Sequence, residues 1–181
     1  ELSLRGLGAP HLVANVLAAS ALARSYGVSP EDISAALGSF ELDAHRFQRV
    51  AEREGVVWID DSKATNPHAA SAALSSFDSV IWIVGGLLKG VDISTLVKMH
   101  AGILKAAIVI GVERTEVLSA LANHAPDTQV FEITEQSKIM DKVVEIAKSI
   151  AAPGDAVLLA PAAASMDQFV DYADRGNSFV A

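Results

Sequence analysis

Five short apolar runs recur between residue 56 and the C-terminus, and the segments between them have the pattern of helices. The runs read VVWID, VIWIV, AIVIG, VFEI and VLLA, and the helical segments cover about 67–76, 93–103, 115–124 and 136–151. Strands that are apolar throughout and alternate with helices indicate a parallel sheet that is covered on both faces. The pattern therefore predicts a Rossmann-like α/β domain.

The segments before this alternation differ from it. The stretch RFQRVAER alternates apolar and polar residues, and Glu54-Gly55 supplies a turn before VVWID, so a β-hairpin is predicted to open the sheet. Upstream, a helix over 11–26 is followed by a second that starts at Ser29-Pro30 and ends at Gly38, with no strand between them. We predict two domains, 1–43 as the end of a preceding domain and 44–181 as the Rossmann-like domain.

Composition narrows the possible functions. The 181 residues are 51% hydrophobic and carry a net charge of −8, with no cluster of Lys and Arg, which argues against nucleic-acid binding. The absence of cysteine excludes a disulfide scaffold and is compatible with a cytoplasmic protein. The longest apolar run, Val80–Leu88, is shorter than the roughly 20 residues of a membrane span, so no membrane partner is expected.

Residues with functional chemistry follow three of the predicted strands. In open parallel sheets, ligands bind beyond the carboxyl ends of the strands. After the first apolar run comes DDSKATN, in which Asn66 caps a helix, and Lys63 beside that helix terminus favours an anion. Asp61 has the chemistry to accept a hydrogen bond from a ribose hydroxyl. The alternative is a capped loop with solvated charges.

The other two strand ends carry GGLLKG and PAAASMDQF. The paired glycines let a ligand or another backbone approach, and Lys89 offers a positive charge to a carboxylate or phosphate, although a glycine turn with a surface lysine is the plainer alternative. Ser165 is predicted to cap a helix, on which Met166, Phe169 and Tyr172 are core residues. Two histidines on predicted helices, His100 and His124, are expected at the surface. No Gly-Lys-Ser/Thr phosphate loop occurs in the sequence.

Together, HRFQ, DDSKATN, GGLLKGVD and LLAPAAASMDQFVDYADRGNSF resemble, in this order, the C-terminal part of the ATP-dependent Mur ligases. The run from Ser62 to Asn66 is similar to that of the members which add D-glutamate to UDP-N-acetylmuramoyl-L-alanine. The family has a UDP-binding domain, a central ATPase domain and a C-terminal Rossmann-like domain. The resemblance implies that residues 1–43 end the central domain and that residues 44–181 are the third.

The resemblance also implies a reaction and a set of site residues. In peptidoglycan synthesis, ATP phosphorylates the substrate carboxylate, and the amine of D-glutamate attacks the acyl phosphate. The implied ATP-binding residues are Asn15, Arg46 and Asp61, and those for D-glutamate are Lys63, Thr65, Lys89, Ser165 and Tyr172. The family pattern His-Asn-x-x-Asn is His11-Leu12-Val13-Ala14-Asn15 here, so Leu12 departs from its first asparagine.

The phosphate loop and the ligands of Mg²⁺ are expected outside this chain. We therefore assign it no catalytic residue and no metal ligand, and we expect it to be inactive alone. The full-length enzyme is expected to be cytoplasmic and monomeric and to use ATP and Mg²⁺. Two alternatives stay open, which are a non-catalytic ligand-binding module of the same fold and a related ligase that adds another amino acid.

Overall fold

The computed structural model describes residues 8–135 and 137–181, and the chain divides between Asp43 and Ala44 into two compact units. The first unit contains helices α1 (Pro10–Ser25) and α2 (Pro30–Ser39). The side chain of Ser29 accepts a hydrogen bond from the N–H of Asp32, and Pro30 occupies the first turn of α2. Both predicted helices are confirmed.

The second unit contains six strands and five helices among its described residues. In chain order they are β1 (Gln48–Arg53), β2 (Val56–Asp60), α3 (Pro67–Leu74), β3 (Val80–Gly85), α4 (Ser94–His100), β4 (Leu104–Ile110), α5 (Arg114–His124), β5 (Gln129–Glu132), α6 (Ile139–Ile150), β6 (Ala156–Leu159) and α7 (Tyr172–Val180). A short 3₁₀ turn, Ala101–Ile103, follows α4. The predicted first residue of the helix before β6, Gln136, lies outside the described residues.

The strands form one sheet in the order β1-β2-β6-β3-β4-β5. The first two strands pair antiparallel as a hairpin, and every other neighbouring pair is parallel. The predicted mostly parallel sheet that a hairpin opens is therefore confirmed. The order also makes β2, β6 and β3 neighbours, and these are the three strands that precede the chemically distinctive loops.

The core lies on both faces of this sheet because alternate residues of each buried strand point to opposite sides. Trp82 and Val84 of β3 pack on one face with residues of α3, α4 and α5. Ile81 and Ile83 of the same strand pack on the other face with residues of α6 and α7. The predicted helices on both faces are thus confirmed.

Three expectations about the helices are wrong. Residues 166–171 form turns and bends, and α7 begins only at Tyr172, where Asp171 and not Ser165 is the N-cap. Met166 is 60% exposed and is not a core residue. His100 is only 8% exposed, because it packs at the end of α4 with its Nε2 atom 2.8 Å from the Ser71 hydroxyl. His124, by contrast, is partly exposed.

Candidate functional site

Three loops meet at the carboxyl end of the sheet, and we name them by the strand that each one follows. They are the β2 loop (residues 61–66), the β3 loop (residues 86–90) and the β6 loop (residues 160–171). The N–H of Ala162 donates to the carbonyl of Ala64 at 2.9 Å. On the other side, Leu87 and Ala164 exchange hydrogen bonds of 2.8 and 3.1 Å. The β6 loop is therefore bonded to both of its neighbours.

The glycines after β3 allow these loops to approach one another. Gly86 has a φ of 132°, and a Cβ atom there would overlap the carbonyl oxygen of Ala164. A Cβ on Gly111, after β4, would overlap the backbone nitrogen of Gly86. The sequence left open whether a ligand or a backbone approaches the glycine pair. In this structure it is a backbone.

The β3 loop presents Lys89 on a constrained backbone. Lys89 is exposed and has a φ of 55°, in the left-handed region. The carboxylate of Glu113 accepts hydrogen bonds from the N–H groups of both Leu88 and Lys89, at 2.5 and 3.2 Å. Glu113 lies at the start of α5, and nothing in the sequence pattern singled it out. It fixes the main chain of Lys89 while the side chain stays exposed to solvent.

The carboxyl group of Asp61, which follows Asp60 at the end of β2, has a shifted pKa. Its carboxylate accepts a hydrogen bond from the N–H of Phe47 at 2.9 Å. Burial raises the pKa of Asp61 to about 6, and the neighbouring charge of Asp60 also raises it. The Phe47 hydrogen bond and the charge of Arg46 lower the pKa but do not offset burial. Asp61 is therefore a carboxylate that changes charge close to neutral pH.

The remaining predicted residues of the β2 and β6 loops lie as follows. The ammonium of Lys63 is 5.5 Å from the centre of the Tyr172 ring, within the range of a cation–π contact. Thr65 is exposed. Ser165 is buried, and its carbonyl accepts hydrogen bonds from the N–H groups of Gln168 and Phe169 at 3.1 and 2.9 Å. Lys63 and Tyr172 are thus brought together from positions more than a hundred residues apart.

Both other predicted ATP-binding residues are exposed, Arg46 beside β1 in the second unit and Asn15 on α1 in the first. Within residues 8–135 and 137–181, no group of three or more His, Asp or Glu side chains is arranged to hold a metal ion. Among those same residues, no helix combines the length and apolar character that crossing a bilayer requires.

Sequence reasoning missed a buried polar cluster beside the β2 loop. The Nδ1 atom of His45 lies 2.6 Å from the carboxylate of Asp60, and both side chains are buried. Arg175 on α7 is fully buried as well. A lone His or Arg near a strand or chain end carries no pattern that predicts burial. The only available sign was that the three residues lie in the motifs HRFQ, DDSKATN and ADRGNSF.

Comparison with known proteins explains why these motifs occur together. Residues 45–163 match the family model described as Mur ligase, glutamate ligase domain. The chain belongs to the Mur ligase family. The match begins at His45 and takes in the β2 loop, the β3 loop and the first residues of the β6 loop.

Two curated relatives of this Mur ligase chain carry the same name. It is 55% identical over its whole length to the UDP-N-acetylmuramoylalanine–D-glutamate ligase of Leifsonia xyli subsp. xyli. It is 53% identical, over 97% of its length, to the protein of that name from Frankia casuarinae. The chain spans 35% and 36% of these two relatives, about a third of their length.

Solved structures of the family share the fold. The MurC ligase of Thermotoga maritima, UDP-N-acetylmuramate-alanine ligase, aligns with 95% of this chain and 37% of its own, with a TM-score of 0.61 and 17% identity. MurF from Acinetobacter baumannii aligns with 83% of this chain and 34% of its own, with a TM-score of 0.58 and 22% identity. At such low identity the likeness concerns the fold alone.

Proposed function

We propose that this chain is part of an ATP-dependent ligase that adds D-glutamate to UDP-N-acetylmuramoyl-L-alanine in peptidoglycan synthesis, and that residues 44–181 bind the D-glutamate. Membership of the Mur ligase family and the shared name of the curated relatives support this proposal. Residues 1–43 are proposed to end the ATP-binding domain. The full-length enzyme is proposed to be cytoplasmic and monomeric.

The observation that carries the proposal is the bonding between the three loops. The β6 loop, which holds Ser165, is hydrogen-bonded to the β2 loop beside Thr65 and to the β3 loop near Lys89. D-Glutamate has two carboxylates, so its pocket needs two anion-binding anchors. We propose that Lys89 and Thr65 bind one carboxylate.

The second carboxylate is proposed to bind Ser165 and the backbone N–H of Tyr172. Tyr172 is the first residue of α7, and the N–H groups of a first helical turn have no acceptor within the helix. Their partial positive charge favours an anion. Lys63, which lies over the Tyr172 ring, adds an ammonium to the same end of the sheet.

The proposed reaction has two steps. The carboxylate of UDP-N-acetylmuramoyl-L-alanine attacks the γ-phosphorus of ATP, which gives an acyl phosphate and ADP. The amine of D-glutamate then attacks the acyl carbon, loses a proton, and expels phosphate to leave the amide. This chain is proposed to hold the D-glutamate with its amine free, and to contribute Asn15, Arg46 and Asp61 to ATP binding.

Phosphoryl transfer of this kind uses Mg²⁺ to neutralise the phosphate charge. The described residues contain no cluster of ligands that fits the ion. Its ligands are proposed to lie in another part of the ligase.

The test is an assay of the full-length protein. With ATP, Mg²⁺ and UDP-N-acetylmuramoyl-L-alanine present, D-glutamate is expected to release phosphate and form the amide, whereas L-glutamate, L-lysine and L-alanine are not. Equal or greater activity with another amino acid would favour a ligase of different specificity. No amino-acid-dependent phosphate release at all would favour a non-catalytic binding module, and either result contradicts the proposal.

A further inference from the structure

Arg175 joins three separate segments of the second unit. It is fully buried on α7, and its Nε atom donates to the hydroxyl of Ser62 at 2.9 Å. One terminal nitrogen donates to the carbonyl of Ser62 at 2.8 Å, and the other donates to the carbonyl of Ala163 at 3.2 Å. A single planar guanidinium therefore bonds α7 to both the β2 loop and the β6 loop.

Ser62 extends this connection in two further directions. Its hydroxyl donates to the carbonyl of Tyr172 at 2.7 Å, and its N–H donates to the carboxylate of Asp60 at 2.9 Å. The other oxygen of that carboxylate faces His45. Gly176 completes the arrangement, because a Cβ atom there would overlap the His45 ring. The side chains of His45, Asp60, Ser62 and Arg175 form one buried polar network, which we call the Ser62–Arg175 network.

Burying this network costs free energy, so an incidental role is a poor explanation for it. Burial lowers the pKa of Arg175 to about 10, while the charges of Asp167 and Asp60 raise it. At neutral pH the side chain is therefore a buried cation, and it donates hydrogen bonds to a hydroxyl and two carbonyls. A buried polar network with all its partners in place specifies one arrangement of the segments that it joins.

Each of these segments carries a proposed D-glutamate anchor close to its bond with the network. Lys63 directly follows Ser62, Thr65 is three residues after it, and Ser165 follows Ala163 by two residues. Tyr172 is itself bonded to Ser62 through its carbonyl. Loss of the network would therefore change the distance between the two carboxylate anchors without removing either of them.

We propose that Ser62 and Arg175 are positioning residues that set the spacing between the two carboxylate anchors, and thereby select the length of the dicarboxylic amino acid. This inference rests on the proposed function, since it presupposes a D-glutamate pocket at these loops. D-Aspartate is one methylene shorter than D-glutamate. A pocket of fixed length discriminates one methylene by about 10- to 200-fold.

The test uses Ser62→Ala in the full-length ligase, with D-glutamate and D-aspartate as competing substrates. We expect the KM for D-glutamate to rise about tenfold and the preference for D-glutamate, as the ratio of kcat/KM values, to fall about tenfold. The KM values for ATP and the UDP-linked substrate are expected to change less than about twofold. A general loss of stability would lower activity with both amino acids and leave their ratio unchanged.

Two further variants separate the explanations. Arg175→Lys retains the charge but loses the planar fork, so it is expected to lose the preference as well. Where Ser62→Ala fails to fold, Arg175→Lys carries the test. Ser79→Ala is the matched control, because it removes a hydroxyl that donates to Asp155 at 2.7 Å at the start of β3, at the opposite end of the sheet. It is expected to retain the wild-type preference.

The outcomes distinguish this inference from the proposed function. If the wild-type ligase shows no D-glutamate-dependent activity, both fail. If the wild type is active and folded Ser62→Ala keeps the wild-type ratio of kcat/KM values, the inference is overturned and the function stands. A wild-type ratio in Arg175→Lys would likewise overturn it, because it would mean that the charge suffices without the geometry.

Discussion

Replacing Lys89 by alanine in the full-length ligase tests the proposed pocket at one of its exposed anchors. The change removes the ammonium and leaves the backbone contacts of the β3 loop intact, because Glu113 holds the N–H groups of Leu88 and Lys89 and not the side chain. Alanine also has to adopt the φ of 55° at this position. The resulting strain is common to Lys and Ala, since both have a Cβ atom.

The expected magnitude follows from the surroundings of Lys89. A hydrogen bond to a charged group contributes about 1.5–3 kcal/mol, whereas an exposed ion pair contributes about 0.2–1 kcal/mol. Lys89 is exposed before the ligand binds, which favours the lower range. Its fixed backbone reduces the entropy lost on binding, and a bound substrate would exclude part of the solvent. We therefore expect about 1.4 kcal/mol, a tenfold rise in the KM for D-glutamate.

The assay is steady-state kinetics of Lys89→Ala with each of the three substrates varied in turn. A rise in KM alone indicates that Lys89 serves binding, and an additional fall in kcat indicates that it orients the amine. Lys148→Ala is the matched control, since Lys148 is an exposed lysine in the last turn of α6, toward the amino end of β6. Unchanged kinetics for D-glutamate, or an equal loss for all three substrates, would refute the role of Lys89.

Four further predictions concern the chain itself. Burial raises the pKa of Asp61 from 3.8 to about 6 in the folded state, so ionisation of Asp61 should destabilise the fold as the pH rises through this window. The free energy of unfolding of Asp61→Asn should therefore gain about 3 kcal/mol relative to that of the wild type between pH 4 and 7. A pH-independent difference between the two in urea unfolding would contradict this. Gly86→Ala should lose more stability in the same assay than Gly90→Ala, since both have positive φ but only Gly86 faces a backbone atom; equal losses would show that the overlap is relieved. Helix α1 has one buried residue and α2 has none, whereas β3 is buried along its whole length. Backbone amides of α1 and α2 should therefore exchange hydrogen with solvent faster than those of β3, and equal protection in a monomer would count against this. The chain alone should not turn over ATP, as it contains no phosphate loop, and product formation above a mock preparation would disprove that.

The sheet could be predicted from sequence because its determinants are local. Strands such as β3 are buried along their whole length, which requires an uninterrupted apolar run and leaves a simple pattern. The starts of α2 and α3 could also be predicted from sequence. Ser29 and Asn66 each accept a hydrogen bond from an N–H three residues later, as N-caps do. These features depend on neighbours in the sequence, and the structure confirms them.

The β6 loop could not be predicted in this way, because contacts with distant residues determine its conformation. Met166, Phe169 and Tyr172 have helical spacing, but the intervening side chains bind elsewhere. Asp167 accepts a hydrogen bond from the N–H of Val112, and Gln168 accepts one from the N–H of Gly111, at 2.8 and 2.7 Å. These two contacts tie the segment to the loop after β4 and delay the helix. The burial of Arg175 could not be predicted from sequence for the same reason, since its hydrogen-bond partners lie 113 and 12 residues away.

The run DDSKATN shows how one short motif combines architecture with the proposed chemistry. Side chains alternate in direction along a strand and at its end. Asp60 and Ser62 face inward, fully buried, and belong to the Ser62–Arg175 network. The proposed ligand-binding residues, Asp61, Lys63 and Thr65, occupy the alternate positions. The two adjacent acids therefore have different partners, since Asp60 is directed at His45 and Asp61 at the N–H of Phe47. We propose that Asp60 and Ser62 fix the conformation of the loop, so that Asp61, Lys63 and Thr65 contact a substrate at fixed distances.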